Sequence, residues 1–386
     1  MSRNSNTDVN NSCVILKILL LLLVLSTIYF LLTSCRQEDV VVVFTDENLE
    51  AVVRETLNKP VGDLTRGDLA SITVLVAYQR EIRDISPIRY MANLTELNLA
   101  VNQISDISAL RRLTNLTYLI LGGNQISDIS SLRRLTNLER LILAGNEISD
   151  ISPLRRLANL DELGLSWNAI SDISPLRRLT NLTSLMLNTN RISDITAIGG
   201  LSNLTTLRLG NNRINDIGTL EQLANLEELN LSWSGISDIT ALQGLTNLTQ
   251  LNLDTNRIDD ITPLGTLTNL IWLNLDSNRI DDITPLGTLT NLTSLHLSNN
   301  QISDISALQE LTSLRWLSAW ENQINDISAL HGLTNLEYLR LQMNEINNIA
   351  VLHELVNLTE LWIDGNPIND ADIQALREAL PNCRIY

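Results

Sequence analysis

A single apolar pattern, Leu-x-x-Leu-x-Leu-x-x-Asn-x-Ile-x-Asp-Ile-x-x-Leu-x-x-Leu, returns every 22 residues from Ile72 onward. Its first position falls at Ile72, Leu94, Leu116 and so on to Leu358, fourteen passes with no insertion or deletion. A truncated fifteenth pass is expected in the same register, with Leu380, Cys383 and Ile385 at its three strand positions. A length of 386 residues alone would suggest two or three globular domains, but an unbroken period excludes them. The pattern calls for an α/β solenoid: a curved parallel β-sheet of about 14–15 short strands, closed by short 3-10 or irregular return segments.

Each part of the repeat has a physical role. In the strand the leucines alternate inward, as the pleat requires. Residues such as Ile104, Ile107, Leu110 and Leu113 line the return path, so each coil buries about seven aliphatic side chains against its neighbours. An asparagine column, including Asn102, Asn124, Asn212, Asn256 and Asn278, stands at the bend after the strand. There its amide can pair backbone groups that the turn leaves inside the stack. Ser234 interrupts the column and should mark a weak point. The aspartates of Ile-x-Asp-Ile, such as Asp106 and Asp128, are placed to cap the following turn.

Solenoid ends expose core and need covering. Residues 44–70 read as a helical N-terminal cap, with Thr45 or Asp46 starting a helix over 47–57 and a second helix over 64–70. Repeats fill 71–370, and 371–386 hold a terminal helix, 371–380, and the partial repeat. Cys383, at a core-leucine position, is expected to be a buried thiol. With Cys13 and Cys35 far upstream, no disulfide is expected.

The repeat resembles the 22-residue class of leucine-rich repeats in bacterial internalin-type proteins, over about 72–386, and the helical cap resembles theirs. That resemblance implies recognition of a protein, often a host receptor, through the concave face. It stops at the solenoid and its caps: neither an immunoglobulin-like domain nor a cell-wall sorting signal follows the repeats.

The first residues read as an address. A polar, weakly basic stretch with Arg3 and Lys17 precedes the apolar run Ile18–Leu32, followed by Leu32-Thr33-Ser34-Cys35. This resembles a signal peptide over 1–34 ending in a bacterial lipobox, which implies palmitate-type lipidation at Cys35 and a linker over 35–43. Arg36, where an inner-membrane protein commonly has aspartate, implies delivery to the outer membrane or cell surface. The alternative is a single transmembrane anchor over 14–33, since that span reaches the length a bilayer needs. Either reading places the repeats in the cell envelope, outside the cytoplasm.

Strand positions without core duty carry the information about partners. All six tryptophans, Trp167, Trp233, Trp272, Trp316, Trp320 and Trp362, are expected to project from the concave sheet. Trp272, His296, Trp316, Trp320, Tyr338, Arg340 and Trp362 concentrate toward the C-terminal coils, in residue types that dominate interface hot spots. Stacked aromatics could equally hold a sugar ring, so a protein or glycan ligand stays open. Tyr118, Ile120, Ile142 and Met186 form a milder apolar patch, and a polar stretch with Asn230, Asn252, Asn274, Asp254 and Asp276 lies between. Two aspartates in one column with no calcium-loop motif are insufficient for a metal site.

Charge narrows the partners further. The formal net charge of −17 argues against nucleic acid, which needs a basic footprint. Lys17 and Lys59 are the only lysines among 27 basic residues. Four consecutive coils nevertheless carry paired arginines: Arg111-Arg112, Arg133-Arg134, Arg155-Arg156 and Arg177-Arg178. This strip could attract anionic lipid or an acidic partner, or be a solvated face neutralised by nearby aspartates. His296, His331 and His353 lie on different coils, and no phosphate loop, metal-ligand spacing or nucleophile elbow appears. The expectation is a monomeric, non-enzymatic binding protein without cofactors. The competing readings are an envelope scaffold acting through lateral faces and a regulatory subunit of an enzyme.

Overall fold

The computed structural model describes residues 40–386; the leader, Cys13, Cys35 and the alternative anchor over 14–33 lie outside the described residues. Fifteen strands form one parallel sheet in strict chain order. β1 (Val74–Val76) to β14 (Glu360–Trp362) have three residues each, and β15 (Arg384–Ile385) has two. Neighbours pair 22 residues apart, so that Leu251, Leu273 and Leu295 lie side by side. Thirteen 3-10 segments, such as Ser108–Arg112, close the coils on the opposite side. The α/β solenoid with a helical N-terminal part is the architecture that the period calls for.

The strands stay short because every coil turns two residues past the last core residue of its strand face. The residue at the turn has positive φ in each of the fourteen coils, from Gln79 and Val101 through Trp167 and Trp233 to Met343 and Gly365. Inside the turn, Leu94, Leu97, Leu99, Ile104, Ile107, Leu110 and Leu113 are all at most 2% exposed, and the same seven positions are buried along the stack.

The asparagine column sews adjacent coils together. The Asn124 amide donates to the carbonyls of Leu121 and of Leu99 one coil back, while its oxygen accepts from the Ile104 N–H. A second column, one residue before the first leucine of each coil, does related work. Asn115 and Asn137 donate to the Ala92 and Thr114 carbonyls of the preceding coil. The aspartates act as expected: Asp106 and Asp128 accept from the N–H groups of Ser108 and Ser130 at 2.7 Å. Those bonds hold the carboxyl of Asp128 below its ordinary value.

At Ser234 the sewing fails. Its hydroxyl donates to the Ser232 carbonyl, and the contact that Asn212 and Asn256 give to Ile192 and Ile236 has no counterpart at Ile214. The next residue, Gly235, has φ +82°.

The ends are covered by helices. α1 (Glu47–Leu57) is capped by Asp46, whose one oxygen accepts from Leu49 N–H and whose other accepts from Arg83 and Asp84, tying the cap to the first coil. α2 (Arg66–Ala70) starts with a Thr65–Asp68 capping box. Val41 bridges Thr65 in antiparallel fashion, and Arg66 N–H donates to Val40. α3 (Asp370–Ala379), capped by Asn369, covers the far end.

The fifteenth pass departs from the 22-residue register. Arg384 pairs with Glu360 and Ile385 with Leu361, an offset of 24. Substituting α3 for a 3-10 return requires two more residues, so Cys383 moves off the core-leucine position. It is only partly buried, and the two-residue shift carries Ile385 to the Leu361 position instead. Burial still raises its thiol pKa.

Candidate functional site

The strand positions between core leucines form two columns on the inner face of the sheet. At the C-terminal end they bring six of the seven expected residues into one file. Trp272 on β10 (Trp272–Asn274) lies 5.7 Å from His296 on β11 (Ser294–His296), ring to ring. His296 stacks against Trp316 on β12 (Trp316–Ser318) at 6.1 Å, and Trp316 against Tyr338 on β13 (Tyr338–Arg340) at 4.7 Å. The last distance is the strand spacing itself, which sets rings of one column face to face. The Arg340 guanidinium then lies 5.6 Å from Trp316 and 4.4 Å from Trp362, a cation–π bridge between the columns.

Tyr386 completes the file, stacked on Trp362 at 5.2 Å. A strict period would place Tyr386 beside Asp364; the two-residue shift before β15 moves it beside Trp362 instead. Trp320, also expected in the cluster, lies two residues past β12, half-buried and outside the stacked file. Trp167 and Trp233 do not project from the strands at all. They occupy the positive-φ turn position, 65% and 60% exposed, with the Trp233 indole donating to Asp254.

Among the described residues, Trp316 Nε1, Arg340 Nε and Gln342 Oε1 are buried without a partner. Gln342 follows Arg340 by two residues, and nothing in the sequence sets it apart from other polar positions. His296 Nε2 meets Ser294 Oγ at 3.1 Å, while its Nδ1 is 3.9 Å from Asp276, too long for a hydrogen bond. Burial, reinforced by the Arg340 charge, holds the imidazole below its ordinary pKa. Burial also pushes Asp276 up to about 6, although the Ser298 N–H donates to its carboxylate. Asp254 and Asp276 are thus engaged by the protein's own donors, and no metal-holding cluster occurs among the described residues.

Beside Trp272 the inner face holds a depression of about 540 Å³, bordered by the Arg208–Glu228 ion pair, Asn230, Asn252 and Ile271. The forward apolar patch is less continuous. Ile120 and Ile142 are paired neighbours, but Gly164 separates Ile142 from Met186 and lets the Ile142 side chain lie over it. Tyr118, 41% exposed, adjoins Arg140, which is paired with Glu162. Among the described residues no helix is long and apolar enough to cross a membrane.

Family models described as leucine-rich repeats (2 copies) match residues 114–156, 158–200, 225–266, 268–310 and 312–353, more than half of the chain. No curated protein matches the chain by sequence. Among solved structures, an internalin (InlF) of Listeria monocytogenes is 36% identical with a TM-score of 0.74, covering 89% of this chain and 95% of its own. A leucine-rich repeat protein of Leptospira interrogans is 25% identical with a TM-score of 0.71, over 83% of this chain and 97% of its own. A plant peptide-hormone receptor, solved in complex with RGF2, is 26% identical with a TM-score of 0.67, over 78% of this chain and 52% of its own. Chains of the internalin and receptor type are generally binding scaffolds rather than enzymes, and this chain belongs to the leucine-rich repeat family.

Proposed function

We propose that this is a non-enzymatic, extracytoplasmic binding protein that recognises a protein partner through the file from Trp272 to Tyr386. The observation that carries the reading is the continuous file of stacked aromatics and Arg340 across five neighbouring coils of the inner face. Trp, Tyr and Arg are also the residues over-represented in interface hot spots.

Ring geometry favours a protein over a glycan. The faces of Trp316 and Tyr338 cover one another at 4.7 Å, as do those of Trp362 and Tyr386 at 5.2 Å. Their edges remain for a ligand, an arrangement suited to the side chains of a protein partner rather than to a sugar ring needing an open face. The receptor neighbour that holds a peptide hormone supports the same class of partner. Lipidation at Cys35 and exposure at the cell surface complete the reading, and the protein acts as a monomer.

The test is a parallel screen of the full chain against displayed peptides and arrayed glycans, with the Trp316→Ala/Arg340→Ala variant alongside. Peptides retained by the parent and lost by the variant support the proposal. Glycans alone retained, or ligands held equally by both proteins, overturn it.

A further inference from the structure

The eight paired arginines end their coils on the return side, opposite the stacked file. All eight are exposed, and none lies within 4 Å of a carboxylate among the described residues. Arg54, Arg80, Arg140, Arg208, Arg315 and Arg384 are ion-paired, whereas the strip gathers eight unpaired arginines in four consecutive coils. The aspartates nearest the strip are occupied otherwise: Asp128 and Asp172 accept from the N–H groups of Ser130 and Ser174. Asp128 lies near Arg111 and Asp172 borders the cavity among Arg155, Arg156, Arg177 and Arg178, but neither carboxylate comes within 4 Å of a strip guanidinium.

The strip is also longer than the paired arginines indicate. Arg89 occupies the same column one coil earlier, and Arg66 of α2 joins it around Tyr90, with guanidinium carbons 4.9 and 4.6 Å from the ring centroid. Their cavity, which also reaches Arg111 and Arg112, measures about 1130 Å³. A second cavity of about 610 Å³ lies between Arg155, Arg156, Arg177 and Arg178. From Arg89 to Arg177 the column spans four coil spacings, about 19 Å.

The position of the chain's N-terminal tether identifies the occupant. Arg66 N–H donates to Val40 O at 2.9 Å, so the described chain begins against the end of the strip. Four residues separate Val40 from Cys35, a reach of at most about 18 Å over the five Cα–Cα steps. Both readings of the leader put the membrane there, as a lipid on Cys35 or as an anchor ending near Thr33. Val43 and Val61, 80% and 78% exposed, lie at this same end of the solenoid.

We infer that the arginine strip lays the solenoid along the anionic surface of its own membrane, with lipid headgroup phosphates as ligands. A basic patch beside a membrane anchor adds a second, orienting attachment to anionic headgroups. Guanidinium forks suit phosphate oxygens. With the return side against the bilayer, the aromatic file faces outward toward partners. This inference shares with the proposed function only the anchor near residue 35 and is indifferent to what the file binds.

The test uses the full chain in vesicles of zwitterionic lipid, or of the same lipid with about 30% anionic phosphatidylglycerol. Arginines are modified with phenylglyoxal and the rate at each is read by mass spectrometry. Arg111, Arg133, Arg155 and Arg177 should be modified at least about fivefold more slowly in anionic vesicles, and high salt should abolish the difference. Arg191, Arg213 and Arg279, exposed on other faces, should not change. Equal rates in both vesicles overturn the inference, as does protection shared by the three controls. Glycerol phosphate in solution, added to zwitterionic vesicles, giving the full protection also overturns it, because the strip would then bind a soluble anion.

Discussion

Replacing Asn256 by alanine should cost about three times as much stability as replacing Asn278, although the two occupy the same position one coil apart. Removing Asn278 leaves only the Ile258 N–H without a partner, because Asn256 still serves Leu253 and Asn300 still serves Leu275. Removing Asn256 strips the Ile236 and Ser234 N–H groups and also the Leu231 carbonyl, which the Ser234 hydroxyl does not serve. Ile236, Ile258 and Leu231 are all fully buried, so water does not replace the lost bonds. At about 1–3 kcal/mol for each orphaned group, Asn278→Ala should cost one such unit and Asn256→Ala three. Guanidinium unfolding of the two variants, with amide exchange followed at Ile236 and Ile258, measures the difference. Equal losses would refute the claim that Ser234 leaves its junction singly sewn.

Three further outcomes follow from particular residues. Val101 is β-branched at a positive φ of 58°, so Val101→Gly should stabilise by roughly 0.5–1 kcal/mol in thermal unfolding, and a loss of stability would contradict this. Folded Asp276 holds its proton up to about pH 6, whereas the unfolded chain releases it near 4. Its contribution is therefore complete below pH ~4 and lost as pH rises through 6. Asp276→Asn should gain on the parent across that window by at most about 3 kcal/mol, and a gap constant from pH 4 to 7 would contradict it. The depressed pKa of His296 acts in the opposite direction but is common to both proteins. Leu229→Asp puts an unpaired charge in the core of the coil that Ser234 already weakens, and should split unfolding into two transitions; one unchanged sharp melt would rule this out.

The fold was legible because one period dictates it: seven buried positions, two turn-forming columns and a fixed return repeat in every coil. Reading failed where that period breaks or where a position has a second duty. Cys383 was misplaced and Tyr386 missed because α3 needs two residues more than a 3-10 return, and a shift of two keeps the inward–outward alternation while changing every neighbour. Trp167 and Trp233 share the spacing of exposed strand residues, yet their backbone has already turned. A glycine at that column in Gly123, Gly145 and Gly365 was the available signal. The second asparagine column was visible as a recurrence, but its carbonyl partners emerge only once coils are stacked. Strand spacing sufficed to bring Trp316 against Tyr338, whereas the Arg340 bridge between columns depends on side-chain direction.

The central claim is that recognition belongs to the stacked file. Calorimetric titration of a selected peptide into the full chain, its Trp316→Ala/Arg340→Ala variant and a variant with Arg111, Arg133, Arg155 and Arg177 changed to glutamine tests it most directly. Hot-spot residues each contribute about 2 kcal/mol or more, so the first variant should lose at least about thirtyfold in affinity while the second matches the parent. Affinity kept by the first variant and lost by the second would contradict the account.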